Sequence, residues 1–173
     1  MAIALKQPTQ RAKQNLREII VLALFAALML ISKEVLAALP NIEIVTLLII
    51  LLAHNIGLRA LWSVYTFVAV QLVLYPLGEW GIAYLYVWAI LVFAVCALRC
   101  YGNAVLYTII AGIFGILFGV LCSIPSFFIG GFGYGMAWIV RGLSFDVIHC
   151  VGNIATVALL FYPLNNVIQK IIK

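Results

Sequence analysis

Charged residues rarely interrupt the hydrophobic pattern of this chain after residue 18. The basic residues Lys6, Arg11, Lys13 and Arg17 precede the first apolar stretch, and later charges stand singly or as one adjacent pair. A helix needs about 20 apolar residues to cross the hydrocarbon core of a bilayer. The stretches between polar breaks predict six such helices, over residues 19–39, 43–56, 61–77, 80–98, 104–124 and 143–162, of which the second is short.

The composition indicates which solvent the chain requires. It is 67% hydrophobic and 9% charged, whereas soluble domains carry about 25% charged residues. Backbone exposed to lipid must satisfy its own hydrogen bonds, so the spans are predicted to be helical. We therefore expect an all-α membrane protein with one six-helix domain over residues 1–173. A basic tail over residues 1–18 precedes it, and there is no room for a soluble catalytic domain.

The basic residues predict the orientation of these helices. Six spans place both termini on one side, together with eight of the ten lysines and arginines: Lys6, Arg11, Lys13, Arg17, Arg59, Arg99, Lys170 and Lys173. Cytoplasmic loops are enriched in such residues. Both termini are therefore expected in the cytoplasm, and the net charge of +5 reflects this bias and contact with anionic lipid, not a nucleic-acid surface.

The densest polar pattern lies at the start of the sixth predicted span. Asp146, His149 and Asn153 are spaced i, i+3, i+7, which places them within an arc of about 60° on one helix face. Polar side chains inside a membrane are costly and often functional. This stripe predicts a ligand-lining face, with an interhelical hydrogen-bond seam as the alternative.

Two further elements are predicted on the same, outer side of the membrane. Asn41 and Glu43 stand at the start of the second span, where they either cap the helix or face the same pocket. Trp80, Tyr84 and Trp88 are four residues apart and form a stripe about 12 Å long. An interfacial belt needs aromatic rings at one depth, so this stripe favours an aromatic pocket wall.

The segment between the fifth and sixth spans is rich in glycine and aromatic residues. Gly130, Gly131, Gly133 and Gly135 alternate with aromatic side chains, which predicts either a lid over a bound molecule or a plain turn. Small-residue rows, Ala23 with Ala27 and Ala111 with Gly115 and Gly119, predict close helix packing. Such a row packs inside the molecule or, where exposed, against a membrane partner.

No arrangement typical of an enzyme is present in the sequence. His149 has no marked nucleophile, there is no zinc-protease motif, and Asp146 has no second aspartate in sequence. The pattern therefore favours recognition over catalysis, without a cofactor of its own. Two other classes remain: a self-sufficient carrier with Asp146, His149 and Glu43 as a proton relay, and an intramembrane enzyme with His149 and Asp146 as acid and base.

The chain resembles the substrate-binding S components of energy-coupling factor (ECF) transporters over nearly its whole length. The resemblance rests on size, on six spans with cytoplasmic ends, and on short motifs: Ala23-x-x-x-Ala27, Leu39-Pro40-Asn41-Ile42-Glu43-x-x-Thr46-Leu47, Tyr84-Leu85-Tyr86-Val87-Trp88, Gly119-x-Leu121-Cys122-x-Ile124-Pro125 and Asp146-x-x-His149-Cys150-x-Gly152-Asn153.

The resemblance implies a function, partners and site residues. Such proteins of the prokaryotic cell membrane capture a vitamin at an outward-facing pocket and associate with a membrane scaffold (T) subunit and two cytoplasmic ATPases. It implies that Ala23 and Ala27 contact the scaffold. The implied pocket comprises Trp80, Tyr84, Trp88, Tyr134, Trp138, Asp146, His149 and Asn153.

The resemblance is greatest to S components assigned to cobalamin, through Pro-Asn-Ile-Glu and Asp-x-x-His-x-x-x-Asn. Many aromatic and glycine residues suit a wide site for a corrin. Pantothenate, a pyridoxine-like vitamin or a pyrimidine precursor needs a smaller pocket, and Arg141 would favour an anionic cargo such as pantothenate.

Overall fold

The structure is a computed structural model that describes residues 10–37, 43–76 and 78–172. In these ranges the regular secondary structure is entirely helical. Five α-helices follow one another: α1 (Gln10–Val35), α2 (Val45–Ile56), α3 (Ala60–Leu74), α4 (Glu79–Ala97) and α5 (Ala104–Ile172). Short 3₁₀ turns at Gly57–Arg59 and Arg99–Tyr101 precede α3 and α5.

Helix α5 contains a sharp reversal at Gly131. This residue has φ +77° and ψ −174°, a backbone conformation that glycine adopts without the strain of a side chain. The first arm (residues 104–130) and the second arm (132–172) then pack against each other, since Gly115 lies against the backbone of Cys150. The predicted glycine-rich loop is thus wrong in its extent: both arms are helical up to the reversal, which leaves one residue as the turn.

The described residues form six helical segments, which contacts between helices show to run in alternating directions. Helices α1 and α3 are parallel, because Ser63 donates to the Leu22 carbonyl at 2.7 Å near one end and Tyr75 donates to Glu34 at 2.5 Å near the other. Tyr86 of α4 donates to the Leu121 carbonyl of the first arm at 2.6 Å, whereas Trp88 lies against Phe114, with ring centroids 5.7 Å apart, so α4 and the first arm are antiparallel. With both arms of α5 included, the bundle contains three segments in each direction.

The bundle consequently has two distinct ends. One, here the Glu43 end, contains Lys33, Glu43, Trp80 and the reversal at Gly131. The other, here the Arg59 end, contains Glu18, Arg59, Arg99 and Ile172, the last described residue. Arg59 bonds Glu18 at 2.6 Å, and Ile172 lines one cavity with residues of the first turns of α1. The described chain therefore begins and ends at the same end of the bundle.

Helix α2 forms the centre of the core. Every residue from Val45 to Ala53 is buried, as expected for a helix that is hydrophobic on all faces. The outer helices expose many large apolar side chains, among them Trp62 at 73% and Phe128 at 86%. Among the described residues, three helical stretches are long and apolar enough to cross a membrane: Val45–Leu74, Glu79–Ala97 and Ala104–Ile172.

The predicted helices match the observed ones more closely at some boundaries than at others. The spans predicted over residues 43–56, 61–77 and 80–98 correspond to α2, α3 and α4. Helix α1 begins at Gln10, so the latter half of the predicted tail continues the first helix. The segments predicted at 104–124 and 143–162 lie within the two longer arms of α5.

Candidate functional site

Glu43 both caps a helix and contacts another one. Its carboxylate accepts hydrogen bonds from the backbone N–H groups of Val45 at 2.9 Å and Thr46 at 3.2 Å, and from the Thr46 hydroxyl. The same carboxylate accepts a bond from Nε2 of His149 on the second arm, at 3.1 Å. The two interpretations of Glu43 are thus compatible, since one side chain caps α2 and joins the polar stripe.

All three residues of the predicted stripe on the second arm are buried. Asp146 accepts a bond from the backbone N–H of Gly119 at 2.9 Å, and Asn153 donates to the Ala111 carbonyl at 3.3 Å. These two bonds form a seam between the arms of α5. His149, 2% exposed, instead bonds across to Glu43, so the stripe joins the two arms and also faces α2.

The aromatic stripe on α4 forms one wall beside this cluster. The rings of Trp80, Tyr84 and Trp88 follow each other edge-to-face, with centroid separations of 5.3 and 5.4 Å. Trp88 lies 5.5 Å from Phe118 of the first arm, and Phe118 lies 4.8 Å from the ring of His149. A continuous aromatic surface therefore connects the predicted α4 stripe with the predicted polar stripe.

Lys33, which is not among the pocket residues predicted from the sequence, belongs to this site. Its Nζ donates to the Tyr84 hydroxyl at 2.8 Å and lies 4.5 Å from the Tyr84 ring centroid and 5.6 Å from that of Trp80. These distances are within the range of cation–π attraction. The signal that identifies it is a lysine inside a predicted span, which is rare without a function.

Several buried polar atoms of the site have no hydrogen-bond partner among the described residues. They are Nε1 of Trp88, Nδ1 of His149 and Oδ1 of Asn153. Leaving a buried polar atom unpaired costs about 1–3 kcal/mol. Because His149 Nε2 donates to Glu43, a neutral His149 presents Nδ1 as an acceptor, while Trp88 Nε1 is always a donor. A bound molecule with both kinds of group can satisfy them.

The remaining predicted pocket residues lie outside this cluster. Asn41 falls outside the residues that the structure describes. Tyr134 donates to Glu79 at 2.8 Å, near the reversal at Gly131. Trp138 and Arg141 are exposed on the second arm. The structure therefore brings together five of the predicted residues: Glu43, Trp80, Tyr84, Trp88 and His149. Asp146 and Asn153 lie beside His149 on the second arm of α5.

The two small-residue rows differ in what they contact. Ala111 and Gly115 are buried between the arms of α5, so this row packs inside the molecule. Ala23 and Ala27 are exposed on α1. Ala23 also lines a groove of about 580 Å³ between α1 and α3, together with Trp62 and other residues of both helices. The α1 row thus lies on the exposed surface of the bundle, whereas the α5 row lies inside it.

Comparison with protein families, characterised proteins and solved structures found no match. The interpretation of the site therefore rests on its geometry and on the sequence motifs.

Proposed function

We propose that this protein is the S component of an ECF-type importer, which binds a vitamin at the Glu43 end of the bundle. The observation that supports this most directly is the aromatic-walled cluster of Lys33, Glu43 and His149 with unpaired buried atoms on Trp88 and His149. Such a cluster, which contains one ammonium, one carboxylate and one imidazole group, suits recognition of a polar organic molecule.

The proposed topology is six membrane spans with both termini in the cytoplasm of a prokaryotic cell. Two observations support six spans: the helical segments alternate in direction, and the first and last described residues lie at the same end of the bundle. Helix α2, with 12 residues, is about 18 Å long and shorter than the hydrocarbon core. Its burial inside the protein supports its place in the membrane, because its ends need not contact lipid. Arg17, Arg59 and Arg99 stand at the proposed cytoplasmic end.

Cobalamin is the first cargo to test, by calorimetric titration of the purified chain alone. One-to-one binding would establish the binding function and the cargo. Without cobalamin binding, pantothenate and pyridoxine would be titrated next. If none binds and the chain fails to co-purify with a scaffold and ATPases when they are co-expressed, the S-component proposal is wrong.

The unpaired donor of Trp88 allows a sharper test of the site. Trp88→Phe keeps an aromatic ring and removes the N–H, so we expect cargo affinity to fall about tenfold, as for one lost hydrogen bond in a dry site. In the free protein no hydrogen bond is lost, so thermal stability should fall only through the reduced packing of the smaller ring. Trp62→Phe, on the exposed surface of α3, is the matched control and should leave cargo binding unchanged.

A smaller anionic vitamin such as pantothenate is the second candidate cargo, and Lys33 is the observation that favours it. An ammonium group between two aromatic rings offers a donor and a positive charge to a carboxylate. Lys33→Met should weaken pantothenate binding about tenfold or more, whereas Arg141→Met, on the exposed surface, should have little effect. Equal affinities for pantothenate and its alcohol analogue would contradict an anionic preference.

The exposed Ala23–Ala27 row supports the proposed scaffold contact. Bulky residues there should reduce co-purification with a co-expressed scaffold and its two ATPases while cargo binding to the solitary chain is kept. Ala69→Leu, an exposed alanine on α3, serves as the control. Loss of cargo binding in Ala27→Leu would instead mean that the substitution disturbs the fold.

A self-sufficient proton-coupled carrier is less well supported by the core. Between Glu43 and His54, seven successive residues of α2, Leu47–Ala53, are apolar and buried. A layer about 10 Å thick thus separates the polar cluster from the Arg59 end along this helix. Cargo uptake by vesicles that contain the solitary chain, driven by a pH gradient, would revive the carrier interpretation.

A further inference from the structure

A cavity of about 380 Å³ opens at the Arg59 end, away from the proposed cargo site. Its charged and polar lining comes from α1, from the end of α2 and from both 3₁₀ turns: Gln14, Arg17, Glu18, Asn55, Arg59 and Arg99. Segments that are distant in sequence thus place three guanidinium groups around the same cavity.

The positive charge around this cavity exceeds the negative charge. Glu18, the one carboxylate that the described residues contribute to its lining, bonds Arg59 at 2.6 Å. Arg99 donates from Nη2 to the Asn55 carbonyl at 2.7 Å, which fixes its guanidinium at the end of α2. The Arg17 side chain makes no hydrogen bond or ion pair to another described residue. Each guanidinium carries five N–H donors, so most of them remain available to a ligand.

Asn55 supports the arrangement from inside the bundle. Its side-chain Nδ2 donates to the Leu51 carbonyl at 2.8 Å and to Asn165 Oδ1 at 2.7 Å. The bond to Asn165 ties the end of α2 to the second arm of α5 and so helps to hold the carbonyl that positions Arg99. The bundle thus positions Arg99 through the Asn55 carbonyl, whereas Arg17 and Arg59 reach the cavity from the exposed surface.

We propose that this cavity binds a phosphate-bearing anion. Arginine forks match the paired oxygens of a phosphate better than ammonium groups do. Val21, Ile56 and Ile172 provide an apolar side to the same cavity, which suits a ligand with an acyl or glyceryl portion next to the phosphate. Basic pockets between membrane helices on the cytoplasmic side bind anionic lipid head groups, and a soluble phosphate has the same recognition chemistry.

The test is retention of phosphatidylglycerol by the purified full-length chain in mixed phosphatidylcholine micelles, measured by native mass spectrometry. Arg17→Gln and Arg59→Gln should each lower retention about fivefold, as expected for one interfacial basic residue. Glu18→Gln should increase retention, because it removes the competing carboxylate. Arg141→Gln makes the same charge change at the other end of the bundle and should have no effect.

The conservative variant and a second ligand make the outcome decisive. Arg99→Lys keeps the charge and loses the fork, so an intermediate loss would support phosphate recognition by geometry. If millimolar inorganic phosphate displaces the lipid, the ligand is a soluble anion. If phosphate does not displace it, the ligand is the lipid. If Arg17→Gln loses no more phosphatidylglycerol than Arg141→Gln, or if only scaffold association changes, the proposal is wrong. Cargo titration of the same samples keeps this result separate from the proposed import function.

Discussion

The two ends of the bundle each contain a bond between an acid and a base, but in opposite environments. At the Glu43 end, the side chains of His149 and Glu43 are 3% and 15% exposed and 3.1 Å apart. At the Arg59 end, Arg59 and Glu18 are 68% and 25% exposed and only 2.6 Å apart. Burial rather than distance decides their energetic importance, since water screens the exposed pair and a buried group left alone is costly.

The largest expected effect follows from removing the acid at each end. Glu43→Ala should lower the free energy of unfolding by about 3–5 kcal/mol, because it leaves a buried His149 N–H unpaired and removes the cap of α2. Glu18→Ala should lower it by at most about 1 kcal/mol. Denaturant unfolding of the two variants in one detergent measures the difference. Similar losses would show that burial does not separate the two pairs.

The seam between the arms of α5 provides the next prediction. A methyl group on Gly119 would overlap the Asp146 carboxylate and disturb its bond to the Gly119 N–H. Overpacking of this kind costs about 1–3 kcal/mol, so Gly119→Ala should lower the unfolding midpoint and weaken cargo binding. Gly133→Ala meets no atom within 4 Å and is the matched control. Equal stability of both variants would mean that the arms separate easily there.

The helices could be predicted from the sequence because lipid-length apolar stretches and polar breaks are local signals. The stripe of Asp146, His149 and Asn153 could also be predicted, since helical spacing places these residues on one face. The break at Gly131 illustrates the opposite case. Four glycines in six residues predict a loop by composition, but a single residue with positive φ reverses the chain and the flanking backbone completes its hydrogen bonds as helix.

The sequence spacing of Lys33 could not predict that it belongs to the candidate site. Its partners Tyr84 and Trp80 are about 50 residues away, and only the tertiary fold brings the Lys33 side chain to these rings of α4. The same is true of the Glu43–His149 bond, which joins residues 106 positions apart. Sequence patterns thus identified the polar groups on each helix, whereas their grouping into one site depends on tertiary packing.

The smallest expected effect concerns the polar contact inside the Arg59 end. His54 Nδ1 lies 2.7 Å from the Tyr107 hydroxyl, against the ring of Phe161. Tyr107→Phe should lower the free energy of unfolding by about 0.5–1.5 kcal/mol, the usual contribution of one hydrogen bond. Tyr101→Phe, at an exposed position, should lower it less. Neither substitution should alter cargo affinity, because the apolar layer Leu47–Ala53 separates this contact from the site. A loss of cargo affinity in Tyr107→Phe alone would show that the two ends are coupled, which is the behaviour of a carrier rather than of a binding subunit.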